Sequence, residues 1–178
     1  MGTFALLLGD ITQSQVDAIV NAANPTLLGG SGVDGAIHAA AGPELLEECR
    51  LLGGCERGQA KVTKGYRLPA GHVLHTPGPI WRGGEQDEAA VLASCYRSCL
   101  ELAAEQGFRT VDFPSIATGV YGYPVFQAAT VALRVILEFL REHELPERVR
   151  LVCHSQKDYD TYRQAYNFWF AGTKDERL

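Results

Sequence analysis

The residues most suited to chemistry lie in one short stretch that holds two amides, a carboxylate, an imidazole and several glycines. Asn21 and Asn24 follow the apolar residues of a predicted buried strand, and ligands bind at the carboxyl ends of such strands in α/β sheets. Asp34 and His38 are four residues apart, so they share one face of a helix that begins near Val33. We expect these four polar side chains to surround a single substrate.

Four glycines lie between the second amide and the imidazole, at positions 29, 30, 32 and 35. Without a Cβ atom the backbone can take positive φ and approach a ligand closely. The sequence that follows favours a helix, whose positive N-terminal end would point at whatever the glycines enclose, and a phosphate or diphosphate fits that best. The pattern G-x-G-x-x-G after the first strand and the pattern G-x-x-x-x-G-K-[ST] are both absent, so this is a different phosphate loop.

Each of these features also has a purely structural interpretation. The glycines can serve a tight turn, the two asparagines can satisfy backbone groups, and His38 can be a packed residue behind the site. A second loop favours ligand binding, because residues 115–123, SIATGVYGY, again follow a short strand and precede a helix. Two opposed loops of this kind can hold a diphosphate from both sides through backbone N–H groups.

The elements that position these loops are predicted from hydrophobic periodicity and from glycine and proline punctuation. Thr12 and Gln15 fit a capping box, which would leave the carboxylate of Asp10 free to face the cleft. His75 lies inside a predicted strand and is interpreted as a packed residue. Strands are predicted at 3–8, 18–20, 59–65, 72–76, 111–113 and 149–153, and helices from about 33 and at 43–52, 88–105, 125–142 and 156–170.

Five motifs occur in a fixed order between about residue 4 and about residue 169. They are GDI at 9–11, NAAN at 21–24, LLGGSGVDGAIHAAAG at 27–42, TKGYRLPAGHVLHTPGPIW at 63–81 and SIATGVYGYP at 115–124. Together they resemble the macrodomain family, and most closely its MacroD-type branch of ADP-ribosyl hydrolases. The resemblance implies an α/β fold, a three-layer α/β/α sandwich with a central mixed β-sheet. It also implies an ADP-ribose cleft at the strand ends and hydrolysis of ADP-ribosyl bonds.

The resemblance assigns expected roles to individual residues. Asp10 and Ile11 contact adenine, and an acceptor-only carboxylate at position 10 can read the adenine amino group. The expected catalytic set is Asn24 and Asp34 beside the distal ribose, supported by Asn21 and His38. Two loops hold the diphosphate and the sugar, and Tyr121 packs against the distal ribose: their expected ligand-binding residues are Gly32, Val33, Gly35, Ala36, Ile37, Ser115, Ala117, Thr118, Gly119, Val120 and Tyr121.

Two positions depart from the family pattern. Ala117 stands where the MacroD-type pattern usually has a serine, so one hydroxyl is missing while the backbone contacts should survive. His154, just past the last predicted strand, stands where the family generally places Phe or Tyr against the adenine face. An imidazole can still stack on the base, but over a smaller area and with a charge that changes in the mildly acidic range. We expect both departures to affect affinity rather than chemistry.

The resemblance leads us to expect a hydrolase that removes mono-ADP-ribose from Glu and Asp side chains and deacetylates O-acetyl-ADP-ribose. The alternatives are a non-catalytic ADP-ribose reader, a phosphatase acting on ADP-ribose-1″-phosphate, and an ADP-ribosyl-DNA hydrolase. Asp34 favours an enzyme over a reader, because a carboxylate beside the distal ribose adds a desolvation cost without a benefit to binding. Either Asp34 or a phosphate oxygen of the substrate could activate the attacking water.

Length and composition agree with one globular domain. The chain has 178 residues, a mass of 19.4 kDa and a formal charge of −5, with 46% hydrophobic and 21% charged residues. We expect a single domain over residues 1–170 and a short C-terminal tail over 171–178. No apolar run approaches the ~20 residues of a membrane span, and residues 1–8 lack the basic start of a signal peptide, so we expect a cytoplasmic protein with no membrane partner.

The five cysteines indicate free thiols rather than disulfides or a zinc site. They are odd in number, lack C-x-x-C spacing and accompany no recognisable export signal. Cys95 and Cys99 continue the apolar positions of a predicted helix and are interpreted as small core residues. We expect no metal, no cofactor and a monomer. The acidic charge argues against nucleic acid as a partner except as an ADP-ribosylated substrate.

Overall fold

The computed structural model describes residues 2–171, in which strands and helices alternate along most of the chain. The strands are β1 (Thr3–Leu8), β2 (Ala18–Ala23), β3 (Lys61–Lys64), β4 (His72–Pro77), β5 (Thr110–Phe113) and β6 (Arg148–Cys153). The helices are α1 (Gly32–Ala41), α2 (Pro43–Leu52), α3 (Glu88–Glu105), α4 (Val125–Glu142) and α5 (Gln156–Trp169), with a short 3-10 helix at Ile11–Gln13.

The six strands form one mixed sheet in the order β1-β6-β5-β2-β4-β3. The four pairings among β1, β6, β5, β2 and β4 are parallel, and the edge strand β3 runs antiparallel to β4. Parallel strands buried on both faces read as nearly continuous apolar runs, as in the AIVNAA sequence of β2. Because their carboxyl ends share one edge, the loops that follow β1, β2, β5 and β6 meet there.

Helices cover both faces of the sheet. One hydrophobic cluster joins α1 and α2 to the sheet through side chains such as Ile37 and Leu45. A larger cluster joins α3, α4 and α5 to the opposite face through side chains such as Tyr96, Phe139 and Tyr162. The molecule is therefore a three-layer α/β/α sandwich, as the family resemblance implies.

The predicted elements are present with shifts at their ends. The largest shifts are in two strands: β2 extends to Ala23 rather than ending at residue 20, so Asn21 lies inside it and not after it, and β3 spans Lys61–Lys64 rather than 59–65. Helices α2, α3 and α4 have the predicted bounds, α1 begins one residue earlier than expected at Gly32, and α5 ends one residue earlier at Trp169. Cys95 and Cys99 are fully buried in the core, as predicted. The predicted C-terminal tail lies outside the described residues except for Ala171, and no helix within residues 2–171 is long and apolar enough to cross a membrane.

The predicted capping box after β1 is wrong. Asp10, not Thr12, is the N-cap: its Oδ1 accepts hydrogen bonds from the backbone N–H of Thr12 at 2.9 Å and from Thr12 Oγ1 at 2.7 Å. The helix is a single 3-10 turn that ends before Gln15, so Thr12 lies inside it and cannot pair with Gln15 across an α-helical turn. The carboxylate of Asp10 therefore shapes the local backbone as well as facing the cleft.

Candidate functional site

A cavity of about 910 Å³ opens at the carboxyl edge of the parallel strands. Its walls are the loops that follow β1, β2, β5 and β6, together with the start of α1. Within residues 2–171, the lining includes three aspartates, Asp10, Asp34 and Asp158, and no Lys or Arg. Since no Lys or Arg of the described residues lines the cavity, we expect backbone N–H groups and a helix dipole to bind an anionic ligand.

The start of α1 provides such donors. Ser31 is the N-cap, and its side chain makes no capping hydrogen bond. The first N–H groups of a helix have no partners within the helix, so an uncapped N-terminus at a cavity wall presents donors to the cavity. Ser31, Gly32 and Val33 all line the cavity. This wall therefore suits a phosphate group.

Asp34 lies in the same wall with its two oxygens in different surroundings. The residue is only 4% exposed. Oδ1 accepts a hydrogen bond from Asn21 Nδ2 at 2.8 Å and lies 3.4 Å from His38 Nε2. Oδ2 has no hydrogen-bond partner within residues 2–171 and lies beside Gly30, where an added Cβ would stand 3.1 Å from it. Oδ2 is thus the oxygen available to a ligand.

Burial sets the protonation behaviour of Asp34. Desolvation raises its pKa above the usual range of an aspartate, while the hydrogen bond from Asn21 and the nearby His38 act in the opposite direction. A carboxylate that is poorly hydrated yet supported on one oxygen is a stronger base at its other oxygen. The geometry can therefore hold and activate a water molecule in the cavity.

Asn24 has both a structural and a ligand-facing position. Its Nδ2 donates to the carbonyl oxygen of Gly29 at 2.9 Å, and its Oδ1 accepts from the backbone N–H of Thr26 at 3.1 Å. The Asn24 amide therefore satisfies backbone groups of its loop, as its purely structural interpretation predicts. The residue also lines the cavity next to Gly30, so Asn24 and Asp34 flank the same small residue.

The loop after β5 forms the opposite wall and is fixed from beneath by hydroxyl groups. Ser115 Oγ lies 2.8 Å from Thr118 Oγ1 and 2.7 Å from the hydroxyl of Tyr162. Ala117 adopts a left-handed conformation with φ of 68°, which is uncommon for a residue with a Cβ. Trp81 donates its backbone N–H to the carbonyl oxygen of Tyr121 at 2.8 Å, which ties this loop to the segment after β4.

The remaining end of the cavity combines the loops after β1 and β6. Asp10, Ile11 and His154 all line it. Both hydrogen bonds that the Asp10 side chain accepts within residues 2–171 go to Oδ1, so Oδ2 remains available to a ligand. An acceptor beside an apolar side chain and an imidazole can receive a flat base that carries an amino group.

The structure brings most of the predicted site residues together around the cavity and leaves four behind its wall. Asn21 is fully buried beneath Asp34, Ile37 is fully buried in the core, and Gly35 and His38 lie beneath the first loop. The predicted residues that line the cavity are Asp10, Ile11, Asn24, Gly32, Val33, Asp34, Ala36, Ser115, Ala117, Thr118, Gly119, Val120, Tyr121 and His154.

Sequence reasoning missed several lining residues. Gln156 and Asp158 come from the first turn of α5, and Gly78 directly follows β4. The sequence predicts a helix that begins at Gln156. Nothing in the sequence indicates that the first turn of this helix, which also holds Asp158, faces a ligand. Gly78 faces the second loop, where an added Cβ would stand 3.2 Å from the Cβ of Ala117. Within residues 2–171 no group of three or more His, Cys, Asp or Glu side chains could hold a metal ion.

The Macro domain family model matches residues 20–132 of this chain. The macro domain-containing protein CT2219 of Chlorobaculum tepidum is 60% identical over 156 residues, which cover 88% of this chain and 91% of that protein. An O-acetyl-ADP-ribose deacetylase of Salmonella gallinarum is 53% identical over 161 residues, which cover 88% of this chain and 90% of that protein.

Two solved structures extend the likeness to three dimensions. A mutant Oceanobacillus iheyensis macrodomain with ADPR superposes with a TM-score of 0.88 at 43% identity, covering 92% of this chain and 91% of that one. The Trypanosoma brucei macrodomain in complex with ADP-ribose superposes with a TM-score of 0.85 at 46% identity, covering 91% of this chain and 68% of that one. From the family match, the identities and the shared fold it follows that this chain belongs to the macro domain family.

Proposed function

We propose that this protein binds ADP-ribose and hydrolyses its esters, both the acetyl ester of O-acetyl-ADP-ribose and the bond that joins ADP-ribose to Glu or Asp side chains. The observation that carries the proposal is Asp34, a buried carboxylate in the cavity wall with one oxygen held and the other available. Relatives that are 52 to 53% identical are O-acetyl-ADP-ribose deacetylases, which supports the first of these activities.

The cavity suggests an order for the parts of the ligand. Adenine would lie between Ile11 and His154 with its amino group donating to Asp10 Oδ2. The diphosphate would lie at the uncapped start of α1, opposite the loop after β5, and the distal ribose would reach Asn24 and Asp34. This order places the negative charge of the ligand at backbone N–H groups and places the ester next to the available oxygen of Asp34.

In the proposed reaction, Asp34 Oδ2 accepts a proton from a water molecule as the water oxygen attacks. With O-acetyl-ADP-ribose the oxygen bonds to the acetyl carbon and the ester C–O bond breaks. The ribose oxygen keeps the bonding electrons and takes up a proton, which leaves ADP-ribose and acetate. With a Glu or Asp linkage the oxygen bonds to the anomeric carbon, and the side-chain carboxylate leaves with its electrons.

The leaving group limits the substrates. A carboxylate leaves as a stable anion with a pKa near 4 and needs little protonation, whereas an Arg guanidine or a Ser alkoxide needs a strong acid. The catalytic set contains one carboxylate at the distal ribose, Asp34, and no second acid for that task. We therefore expect release from Glu and Asp linkages and no measurable release from Arg or Ser linkages.

The test uses O-acetyl-ADP-ribose and mono-ADP-ribosylated proteins of defined linkage, with and without a chelator. We expect turnover of the acetyl ester and of the acidic linkages, unaffected by the chelator. Thermal stabilisation by ADP-ribose compared with ADP, AMP and NAD measures binding separately from chemistry. Binding without turnover of any ester would make the protein a reader, and efficient cleavage of the Ser linkage would refute the mechanism.

A further inference from the structure

A chain of buried polar side chains runs from Asp34 across the sheet to its antiparallel edge. Asn21, His75 and Thr63 lie on β2, β4 and β3 and are 0%, 0% and 2% exposed. Asn21 Nδ2 lies 2.8 Å from Asp34 Oδ1 and 3.2 Å from His75 Nδ1, and His75 Nε2 lies 2.9 Å from Thr63 Oγ1. Buried polar groups that form a continuous chain fix one another's orientation.

The chemistry of the members gives this chain a direction. An ionised carboxylate can only accept, so Asn21 must present its NH₂ group to Asp34. The second N–H of that group then points at Nδ1 of His75, which must be unprotonated to accept it. The proton of His75 is thereby placed on Nε2, where Thr63 Oγ1 accepts it at 2.9 Å, while Cys49 Sγ lies farther from the same nitrogen at 3.9 Å. The hydrogen bond from Asn21 to Asp34 therefore determines which group is the donor at each of the next two contacts.

Two further observations agree with that direction. Burial, reinforced by the nearby His38, lowers the pKa of His75 to about 3, so its ring is neutral near pH 7 and carries a single N–H. Asn21 Oδ1 is buried and has no hydrogen-bond partner within residues 2–171. A buried amide oxygen without a partner is unfavourable, and the opposite orientation of the amide would set that oxygen against the carboxylate of Asp34.

We propose that His75 and Thr63 are positioning residues that lock the amide of Asn21 and so keep Asp34 oriented and ionised at the cavity wall. This role rests on the proposed hydrolytic function. It gives a task to a buried imidazole that the reaction itself does not use. Neither side chain lines the cavity, so both act through Asn21.

The role predicts a change in pH dependence as well as in rate. The groups around Asp34 within residues 2–171 are His38 on its own helix, the Asn21 and His75 pair from the sheet, and the Cys49 thiol of α2, whose pKa is raised by burial first and then by Glu48 and Asp34. The hydrogen bond from Asn21 lowers the pKa of Asp34, against the larger effect of burial. If that bond weakens while His38 and Cys49 stay unchanged, the pKa of Asp34 should rise further. The acidic limb of turnover against pH should then move to higher pH.

Thr63→Val tests the proposal, because valine has the shape of threonine but cannot accept the proton of His75. We expect kcat to fall about three- to tenfold, the acidic limb to move to higher pH, and the dissociation constant of ADP-ribose to stay within about twofold. Thr63→Ser keeps the hydroxyl group and should therefore have the rate and the pH profile of the wild type. Thr76→Val is the matched control, since Thr76 is fully buried on the same strand as His75 and donates instead to the carbonyl oxygen of Gln59 at 2.7 Å.

Nitrogen NMR of the wild-type imidazole gives a readout that needs no variant and no turnover. We expect the proton of His75 on Nε2, and a proton on Nδ1 would overturn the proposal even if Thr63→Val does not fold. Thr63→Val with the wild-type rate and pH profile, or a pH shift of equal size in Thr76→Val, would overturn the positioning role alone. A wild-type protein that binds ADP-ribose but turns over no ester would overturn the proposed function and this role with it.

Discussion

Gly35 packs its Cα against the carbonyl group of Gly30 so closely that a Cβ at position 35 would stand 2.5 Å from that oxygen. The contact closes the first loop onto the first turn of α1. In an ordinary helix position Gly→Ala is stabilising, but here the added methyl must displace backbone. We expect Gly35→Ala to destabilise the fold by about 1 to 3 kcal/mol and to weaken ADP-ribose binding.

Gly119→Ala is the control for that prediction. Gly119 lies in the opposite loop, and an added Cβ there has no neighbour within 4 Å. Its unfolding free energy should stay within about 0.5 kcal/mol of the wild type. Chemical denaturation of both variants measures the difference. Equal stability of Gly35→Ala and the wild type would show that the first loop yields to a methyl group.

Two substitutions of Asp10 should separate its role as a helix cap from its role in ligand recognition. Asn can cap a helix as well as Asp but brings a donor to the adenine site, so Asp10→Asn should keep the melting temperature and weaken ADP-ribose binding by about 1 to 3 kcal/mol. Asp10→Ala should lose the same affinity and also about 1 kcal/mol of stability. Calorimetry and thermal denaturation of both variants give the two quantities. An Asp10→Asn variant that binds normally would remove the carboxylate from base recognition.

Asp34→Asn should lose activity while gaining stability. Turnover should fall by at least about 100-fold, because the general base is removed. Burial raises the pKa of Asp34, so ionising the carboxyl costs the folded state more than the unfolded chain, and stability is lost as the pH rises through that raised pKa. Asn at this position carries no charge, so its melting temperature at pH 7 should exceed that of the wild type.

The same comparison at low pH supplies the control for Asp34→Asn. Below the unfolded pKa of an aspartate, about 3.9, the wild-type carboxyl is protonated as well, and the advantage of the variant should vanish. ADP-ribose binding by the variant shows that the site is intact. Normal turnover by Asp34→Asn would refute the assignment of the base.

Glu88 should stabilise the segment after β4 through its charge. Its carboxylate accepts backbone hydrogen bonds from Arg82 and Gly84, both at 2.8 Å, and from Gln86 at 2.5 Å. These bonds, with that of Arg82 the largest contribution, lower the pKa of Glu88 to about 2. A lowered pKa contributes stability above the unfolded value, about 4.3, that is lost as the pH falls towards 2.

Glu88→Gln should therefore be less stable than the wild type at pH 7, and the difference should close between about pH 4.3 and 2. The variant should also loosen Tyr121, because Trp81 at the start of the same segment holds the Tyr121 carbonyl. Denaturation across this pH range is the measurement, and Glu105→Gln at the exposed end of α3 is the control. A stability difference that persists unchanged at pH 2 would contradict the role of the charge.

The sequence by itself determined the elements and the two loops. Hydrophobic periodicity and glycine punctuation are local properties, and they placed α2, α3 and α4 with the observed bounds. The glycine-rich loop before Asp34 and the loop that begins at Ser115 were recognisable because glycines indicate backbone conformations that other residues rarely adopt. The same local logic failed at Thr12, where a one-turn 3-10 helix replaced the expected α-helix and gave the cap to Asp10.

Only the tertiary structure decided which residues meet. Asn21 and His75 are 54 residues apart, and their contact exists because β2 and β4 are neighbours in register. Asp158 reaches the cavity because β6 lies between β1 and β5, which brings the first turn of α5 to the same edge as Asp10. Strand order is set by how two apolar helix layers cover one sheet, a property of the whole chain that no local pattern contains.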